Sequence, residues 1–339
     1  MLITENKSLR HFNSFGVETM ARYFTSFSTL DELEEIRKEA TYITNRSKLI
    51  LGGGTNILFT KDFDGLVLKN DVKGIELIKE DEDHVYVKVA AGENWHSFTE
   101  YCIAHNYSGV ENLSLIPGNV GASPIQNIGA YGVELKDVFY ELKALHLHEN
   151  RFYNFTLKDC EFGYRDSIFK SKYKGEYLIV QVTLKLNKKP IYQTQYGAIV
   201  QELEQMGNPV LSIQSIAGAI IRIRNGKLPD PKKIGNAGSF FKNPVISITT
   251  FNELKKAFPG LIGFQINTGY TKLAAGWLIE QCGWKGYRKN EVGCYEKQAL
   301  VLVNYGSAKG IDIFNLSEEI IYSVQEKFNI LLEREVNIL

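Results

Sequence analysis

The sequence predicts a multidomain α+β protein, and three observations carry that reading. The chain has 339 residues, enough at about 150 residues per domain for two or three units. Helix-period and strand-period apolar patterns both occur, with the stretch from 71 to about 215 strand-rich. Glycine-rich segments at 52–56 and 114–134 interrupt the predicted elements, and the second is too apolar for a solvated linker.

The first unit is expected over 1–70. Ser28 opens a Ser-x-x-Asp capping pattern, and Leu30, Leu33 and Ile36 follow at helical spacing, predicting a helix over 29–40. Residues 48–51 read as a short buried strand that runs straight into Gly52-Gly53-Gly54-Thr55-Asn56. A second unit is expected over 71–216, with strands at 85–90, 141–148 and 177–186 and a helix at 95–105. The third is expected over 217–328. There Arg222, Arg224 and Lys227 precede the rigid turn Leu228-Pro229-Asp230-Pro231, followed by a helix over 272–282 that Gly283 stops. A strand over 299–303 and a helix over 312–328, with Ile313, Leu316, Ile320 and Val324 on one face, complete it.

Composition narrows the function. Lys plus Arg equals Asp plus Glu at 39 each, which argues against a nucleic-acid or anionic-membrane binder. An early basic segment with an apolar run behind it, and any apolar stretch of spanning length, are lacking, so a soluble cytoplasmic protein is expected. Cys102, Cys160, Cys282 and Cys294 form no CxxC pair and read as free thiols. His146 and His148 are the one close histidine pair and have no accompanying ligand set, so no metal site is expected.

The glycine segments suit close approach of a backbone to a ligand, with successive N–H groups turned toward phosphate oxygens. A plain succession of tight turns would use the same residues. Neither segment fits a standard fingerprint: Gly-Lys-Ser/Thr is missing after Gly54, as are the third glycine and helix of a dinucleotide fold. In Phe162-Gly163-Tyr164-Arg165-Asp166, Arg165 could clamp a carboxylate or phosphate through its planar fork, or simply pair with Asp166.

Taken together the motifs resemble the UDP-N-acetylenolpyruvoylglucosamine reductase family. The pieces run in order from Phe12-Asn13-Ser14-Phe15-Gly16 through Gly52 to Phe59, Gly92-Glu93-Asn94-Trp95, Ile116 to Gly132, Phe162 to Phe169 and Lys227 to Pro231. Asn236 to Pro244, Ala274 to Ile279 and Gln298 to Leu302 continue the series over nearly the whole chain. Gln195-Tyr196-Gly197 resembles the form of the family that closes a tyrosine-bearing loop over its substrate.

The resemblance implies a three-domain flavoprotein with a vanillyl-alcohol-oxidase-like (PCMH-like) FAD-binding part and an α+β substrate-binding domain, residues 329–339 packing near the first unit. It implies that NADPH reduces FAD and departs. The flavin N5 then gives hydride to the enolpyruvyl ether of UDP-N-acetylglucosamine, yielding UDP-N-acetylmuramate for peptidoglycan. Residues Gly52, Gly53, Gly54, Thr55, Asn56, Pro117, Gly118, Gly121, Ala122 and Ser123 would hold the FAD pyrophosphate with Arg224, and Ile128 and Gly129 would lie beside the flavin. Arg165 would clamp the substrate carboxylate, Glu335 would polarise the same group, and Ser239 would protonate the carbanionic carbon. Tyr196, Lys227, Asn243 and Gln298 would meet the UDP diphosphate. A monomer without metal, nucleic acid or membrane partner is expected. An oxidase returning electrons to oxygen and a non-catalytic flavin or UDP-sugar binder are the competing readings, and neither needs a proton donor beside an enolate.

The sequence departs from the family pattern in places. The terminal motif usually reads Leu-Glu-Pro-Glu-Val-Arg, whereas Arg334 stands here for the proline and Asn337 for the arginine. Tyr295 stands where a histidine is common, and the longer tail of many relatives is lacking.

Overall fold

The computed structural model describes residues 3–45 and 47–339. The chain forms two compact units that interleave in sequence. One comprises Met1–Lys7, Ala21–Gly53 and Asp64–Gly226, the other Ser8–Met20, Gly54–Phe63 and Lys227–Leu339. The division expected at 217 instead falls inside the continuous helix Ile213–Lys227, whose apolar positions Ile216, Ile220 and Ile223 pack with Ile199 on either side of that point.

The first unit is built on two sheets. A four-stranded sheet has the order Thr4–Ser8, Met20–Phe27, Phe63–Asn70, Lys48–Leu51, the last two parallel. The helix Leu30–Lys38 buries Leu33 and Ile36 in the same core as Leu66 and Leu68. Its cap is Thr29, which accepts the Glu32 N–H at 3.1 Å, one residue later than the Ser28 pattern suggested. Glu32 reaches back to the Ser28 N–H at 2.6 Å.

A five-stranded antiparallel sheet has the order Arg151–Thr156, Phe139–His146, Tyr177–Asn187, His84–Ala90, Ile75–Glu80. Its central strand is apolar on both faces, and a register break explains why. Between Lys143 and Ala144 the partners jump from Gln181 to Ile179, skipping Val180. Such a bulge re-aims the side chains that follow. Leu178 and Val180 therefore join one core with Leu145, while Val182, Leu184 and Leu186 join the other with Trp95 and Phe98.

In the second unit the sheet order is Gly235–Ser239, Val301–Asn304, Val292–Cys294, Arg288–Lys289. A three-stranded sheet of Val245–Ser247, Tyr270–Leu273 and Gly263–Gln265 accompanies it. The helix expected over 272–282 begins later, as Ala275–Gln281, because Lys272 and Leu273 pair in the three-stranded sheet. The helix Gly310–Phe328 buries Ile313, Leu316, Ile320 and Val324 against Phe15, Leu58 and Phe240. Asn329, in the left-handed conformation at φ 55°, ends it.

Gly310 sets how closely that helix approaches the chain before it, since a Cβ there would lie 1.7 Å from the Phe59 carbonyl oxygen. Gly310→Ala must displace backbone, and is expected to cost about 1–3 kcal/mol or more as an overpacking substitution. Chemical denaturation measures this, and an unchanged midpoint would show that the contact yields freely.

Candidate functional site

In the first unit the two glycine segments come together. The strand Lys48–Leu51 delivers Gly52 and Gly53 against Gly118 and Asn119. A Cβ on Gly53 would lie 2.9 Å from Asn119 Oδ1 and 3.0 Å from Gly118 Cα. Asn119 is itself fixed, its Nδ2 donating to the Gly92 carbonyl at 2.8 Å.

The run Pro117–Ser123 does not donate throughout, as the sequence suggested it would. Proline has no N–H, and the N–H groups of Val120, Gly121, Ala122 and Ser123 donate to the carbonyls of Glu93, Ala91, Asn119 and Val120. Gly121 is small because a Cβ would sit 2.5 Å from Ala91 Cβ, and the Ser123 hydroxyl donates to the Val120 carbonyl at 2.6 Å. Among the described residues, the N–H groups of Gly53, Gly118 and Asn119 donate to no protein acceptor. These are the donors that suit an anion.

Ile128 is buried, and Gly129 follows in a two-residue strand paired with Val133 and Glu134. Gly129 faces Arg165. A Cβ at 129 would lie 2.9 Å from Arg165 Nη1, and Nη2 donates to the Gly129 carbonyl. Arg165 holds φ at +54° and its guanidinium lies 5.3 Å from the Tyr164 ring centre. Left-handed backbone at a long side chain is uncommon and costs energy that the surroundings must supply. Asn127, which sequence reasoning missed, helps supply it. Its Nδ2 donates to the Gly163 carbonyl at 2.9 Å and to Glu134 at 3.1 Å, while its Oδ1 accepts the Lys136 N–H at 3.1 Å.

Tyr196 begins the helix Gly197–Gln205, is 45% exposed, and meets Tyr131 edge-on at 5.7 Å. Asn112 ties the two segments together, donating at 2.9 Å to both the Tyr131 and Gln193 carbonyls. Arg224 lies beside Tyr131, and its Nε is enclosed and has no hydrogen-bond partner. Burial pulls the Arg224 pKa down, and the phenol opposes that. An enclosed guanidinium with an unmet donor suits an anionic group.

The second unit assembles the remaining residues. Gly54, at φ +64°, has no room for a Cβ, which would meet the Phe12 carbonyl oxygen at 2.0 Å. Asn56, two residues on from it, donates through Nδ2 to the Glu335 carbonyl at 3.3 Å. Its own carbonyl accepts from the Asn337 N–H at 3.2 Å and from Asn337 Nδ2 at 2.9 Å. Ser239 ends the strand Gly235–Ser239 opposite Val301. The Glu335 N–H donates to the carbonyl of Phe240, the next residue, at 2.8 Å, and the Lys242 N–H donates to the Glu333 carbonyl at 2.8 Å. Ser239 and Glu335 are thus carried on adjoining extended segments.

Two amides are oriented by their oxygens. Asn243 Oδ1 accepts the Ala275 N–H at 2.9 Å, at the start of the helix Ala275–Gln281, and Gln298 Oε1 accepts the Leu300 N–H at 3.3 Å. Lys227 is exposed at the end of its helix. The cysteines are unsuited to nucleophilic work: burial pushes the Cys160 and Cys294 thiols up to about 12. Among the described residues no acidic, His or Cys group is placed to hold a metal, and no helix is long and apolar enough to cross a membrane.

Comparison with known proteins fits this chemistry. Residues 22–147 match the family described as "FAD binding domain", which defines the class as flavin-binding oxidoreductases. Residues 230–339 match "UDP-N-acetylenolpyruvoylglucosamine reductase, C-terminal domain". A protein of that name from Amoebophilus asiaticus is 50% identical over 339 residues, covering 100% of both chains. Another from Flavobacterium johnsoniae is 46% identical over 340 residues, again covering 100% of each. The crystal structure of UDP-N-acetylenolpyruvylglucosamine reductase from Thermus caldophilus superposes with a TM-score of 0.69 at 22% identity, covering 99% of each chain. The chain belongs to the UDP-N-acetylenolpyruvoylglucosamine reductase family.

The Gly53 clearance makes a direct prediction. Gly53→Val should weaken FAD retention at least about tenfold, the worth of one good interaction, while leaving the folded core intact. Release of flavin fluorescence on titration measures it, and an unchanged dissociation constant would remove the 53/118/119 donors from the cofactor site.

Proposed function

We propose that the protein uses NADPH to reduce UDP-N-acetylglucosamine enolpyruvate to UDP-N-acetylmuramate, a peptidoglycan precursor, as a cytoplasmic monomer. FAD, when bound, supplies hydride transfer from the nicotinamide to the enol ether carbon. The unit that carries Gly53, Gly118 and Asn119 serves that cofactor, and the unit that carries Asn243 and Gln298 serves the sugar nucleotide.

The difficulty of the reaction is the negative charge that develops beside a carboxylate already charged, and the roles follow from it. Arg165 binds the substrate carboxylate through its planar fork, and the bond to the Gly129 carbonyl sets the plane of that fork. Glu335 polarises the same group, and Ser239 hands its proton to the carbanionic carbon. A hydroxyl is a weak acid, but a carbanion is a strong enough base to take its proton. The observation that carries the reading is the 2.8 Å bond between the Glu335 N–H and the Phe240 carbonyl, which holds carboxyl and hydroxyl on neighbouring segments.

The diphosphate is met by Tyr196, Lys227, Asn243 and Gln298. With Asn243 Oδ1 and Gln298 Oε1 accepting backbone N–H groups, what the amides offer a ligand is their NH₂ donors, the polarity an anion needs. Gly53, Gly118, Asn119 and Arg224 meet the cofactor's phosphates, and Ile128 and Gly129 lie beside its ring.

Anaerobic half-reactions test the proposal. The yellow holoenzyme should bleach with NADPH and recolour only when the enolpyruvyl sugar nucleotide is added. Ser239→Ala should bleach normally and recolour at least about 10²–10⁴-fold more slowly, the usual loss for a positioned acid. Equal slowing of both steps would remove the proton-donor role, and failure to bleach would favour an oxidase or a binding protein.

A further inference from the structure

We infer that Arg334 is a positioning residue that aims Glu335, through contacts to one face of the helix Gly310–Phe328; this rests on the role proposed above for Glu335. The Glu335 peptide is held on both sides, its N–H by the Phe240 carbonyl at 2.8 Å and its carbonyl by Asn56 Nδ2 at 3.3 Å. Those bonds fix the peptide planes, and the side chain of the preceding residue adds a further restraint. Arg334 faces Phe241 across an antiparallel bridge. The bonds that flank the bridge run from the Lys242 N–H to the Glu333 carbonyl and from the Glu335 N–H to the Phe240 carbonyl. The 241/334 pair is therefore the open kind, in which neither N–H enters the ladder.

Beyond those flanking backbone bonds, residue 334 is anchored by its side chain. Nε donates to Ser317 Oγ at 2.8 Å, Nη2 pairs with Glu318, and the guanidinium carbon lies 4.6 Å from the centre of the Phe314 ring. Positions 314, 317 and 318 share one helical face. Ser317 is buried and donates in turn to the Phe314 carbonyl at 2.6 Å, and the helix is seated in the core by Ile313, Leu316 and Ile320. The Arg334 side chain is mostly covered, with a relative exposure of 20%. A partly enclosed, stacked and twice-bonded arginine is held far more firmly than an exposed ion pair. The segment 333–335 is thereby fastened to a rigid helix one residue before the carboxyl group.

The same geometry would admit a proline at this point. An open ladder position needs no N–H, and a pyrrolidine ring restricts φ by itself. Arginine restrains the segment from outside where proline restrains it from within.

The test uses FAD-loaded Arg334→Ala, Arg334→Pro and Glu335→Gln proteins. Arg334→Ala should recolour at least about tenfold more slowly at saturating enolpyruvyl sugar nucleotide, a cost in keeping with a misplaced group. Bleaching by NADPH and the substrate dissociation constant of the oxidised protein should stay within about twofold, since binding itself is not lost. Arg334→Pro should recover most of the rate, and adding Arg334→Ala to Glu335→Gln should slow it no further. A normal rate in Arg334→Ala beside a slow Glu335→Gln overturns the positioning inference alone. Equal loss in both half-reactions, a lowered melting temperature with no rescue by proline, or full additivity also overturns it. A normal rate in Glu335→Gln overturns instead the role proposed for the carboxyl group.

Discussion

One peptide hydrogen bond, from the Glu335 N–H to the Phe240 carbonyl, organises the C-terminal segment of the second unit. It converts the last residues from a loose tail into an extended segment lying along the one that carries Ser239. The bonds around it work in the same direction. Lys242 and Glu333 extend the pairing, Asn56 accepts from Asn337, and Asn337–Ile338 runs parallel to Ile57–Leu58. The terminus therefore closes onto the residues that follow Gly54. Local stability of a chain end depends on such contacts, because ends fray unless tied down. Here the tie and the candidate carboxyl group are the same residue.

The first unit solves a different problem, which is to bring backbone and cation close to a ligand without filling the space. Gly53 abuts Gly118 and Asn119 where a Cβ would intrude, and Gly129 leaves room for the Arg165 guanidinium. Arg165 accepts a left-handed backbone that most long side chains avoid. Strain of this sort persists only where surrounding bonds over-determine the conformation. The Asn127 amide, with its contacts to Gly163, Glu134 and Lys136, is such a determinant.

What could be read from the sequence was what is encoded locally. The apolar spacing of Leu33 and Ile36, or of Ile313, Leu316 and Ile320, fixes helices with little reference to the rest of the chain. The glycine segments were legible for the same reason, since a lack of side chains is visible in one dimension. Which of their N–H groups remain for a ligand was not, because Val120 and Gly121 donate to Glu93 and Ala91, partners that only the fold brings near. Lys272 and Leu273 carried a helical pattern that pairing with Val245 and Gly263 overrode. Amides were the least legible class. Asn337 acts on a residue 281 positions away, and Asn112 joins two segments through one NH₂ group. An asparagine in a sequence carries no mark of such a role beyond a preference for turns.

The departures near the terminus show the same logic from the other side. Arg334 and Asn337 depart from the expected motif, yet each makes specific bonds that hold the segment around Glu335. A constraint on position can be met by more than one chemistry, and the backbone geometry tells which are admissible.

In the proposed reaction the Ser239 hydroxyl and the Glu335 carboxyl act as one unit. This is tested most directly by a double-mutant cycle on substrate-driven flavin reoxidation with Ser239→Ala, Glu335→Gln and the two combined. Groups that act together lose most of their effect at the first substitution. The double variant should therefore be about as slow as the slower single one. Multiplicative losses would contradict it, showing that the two residues contribute separately.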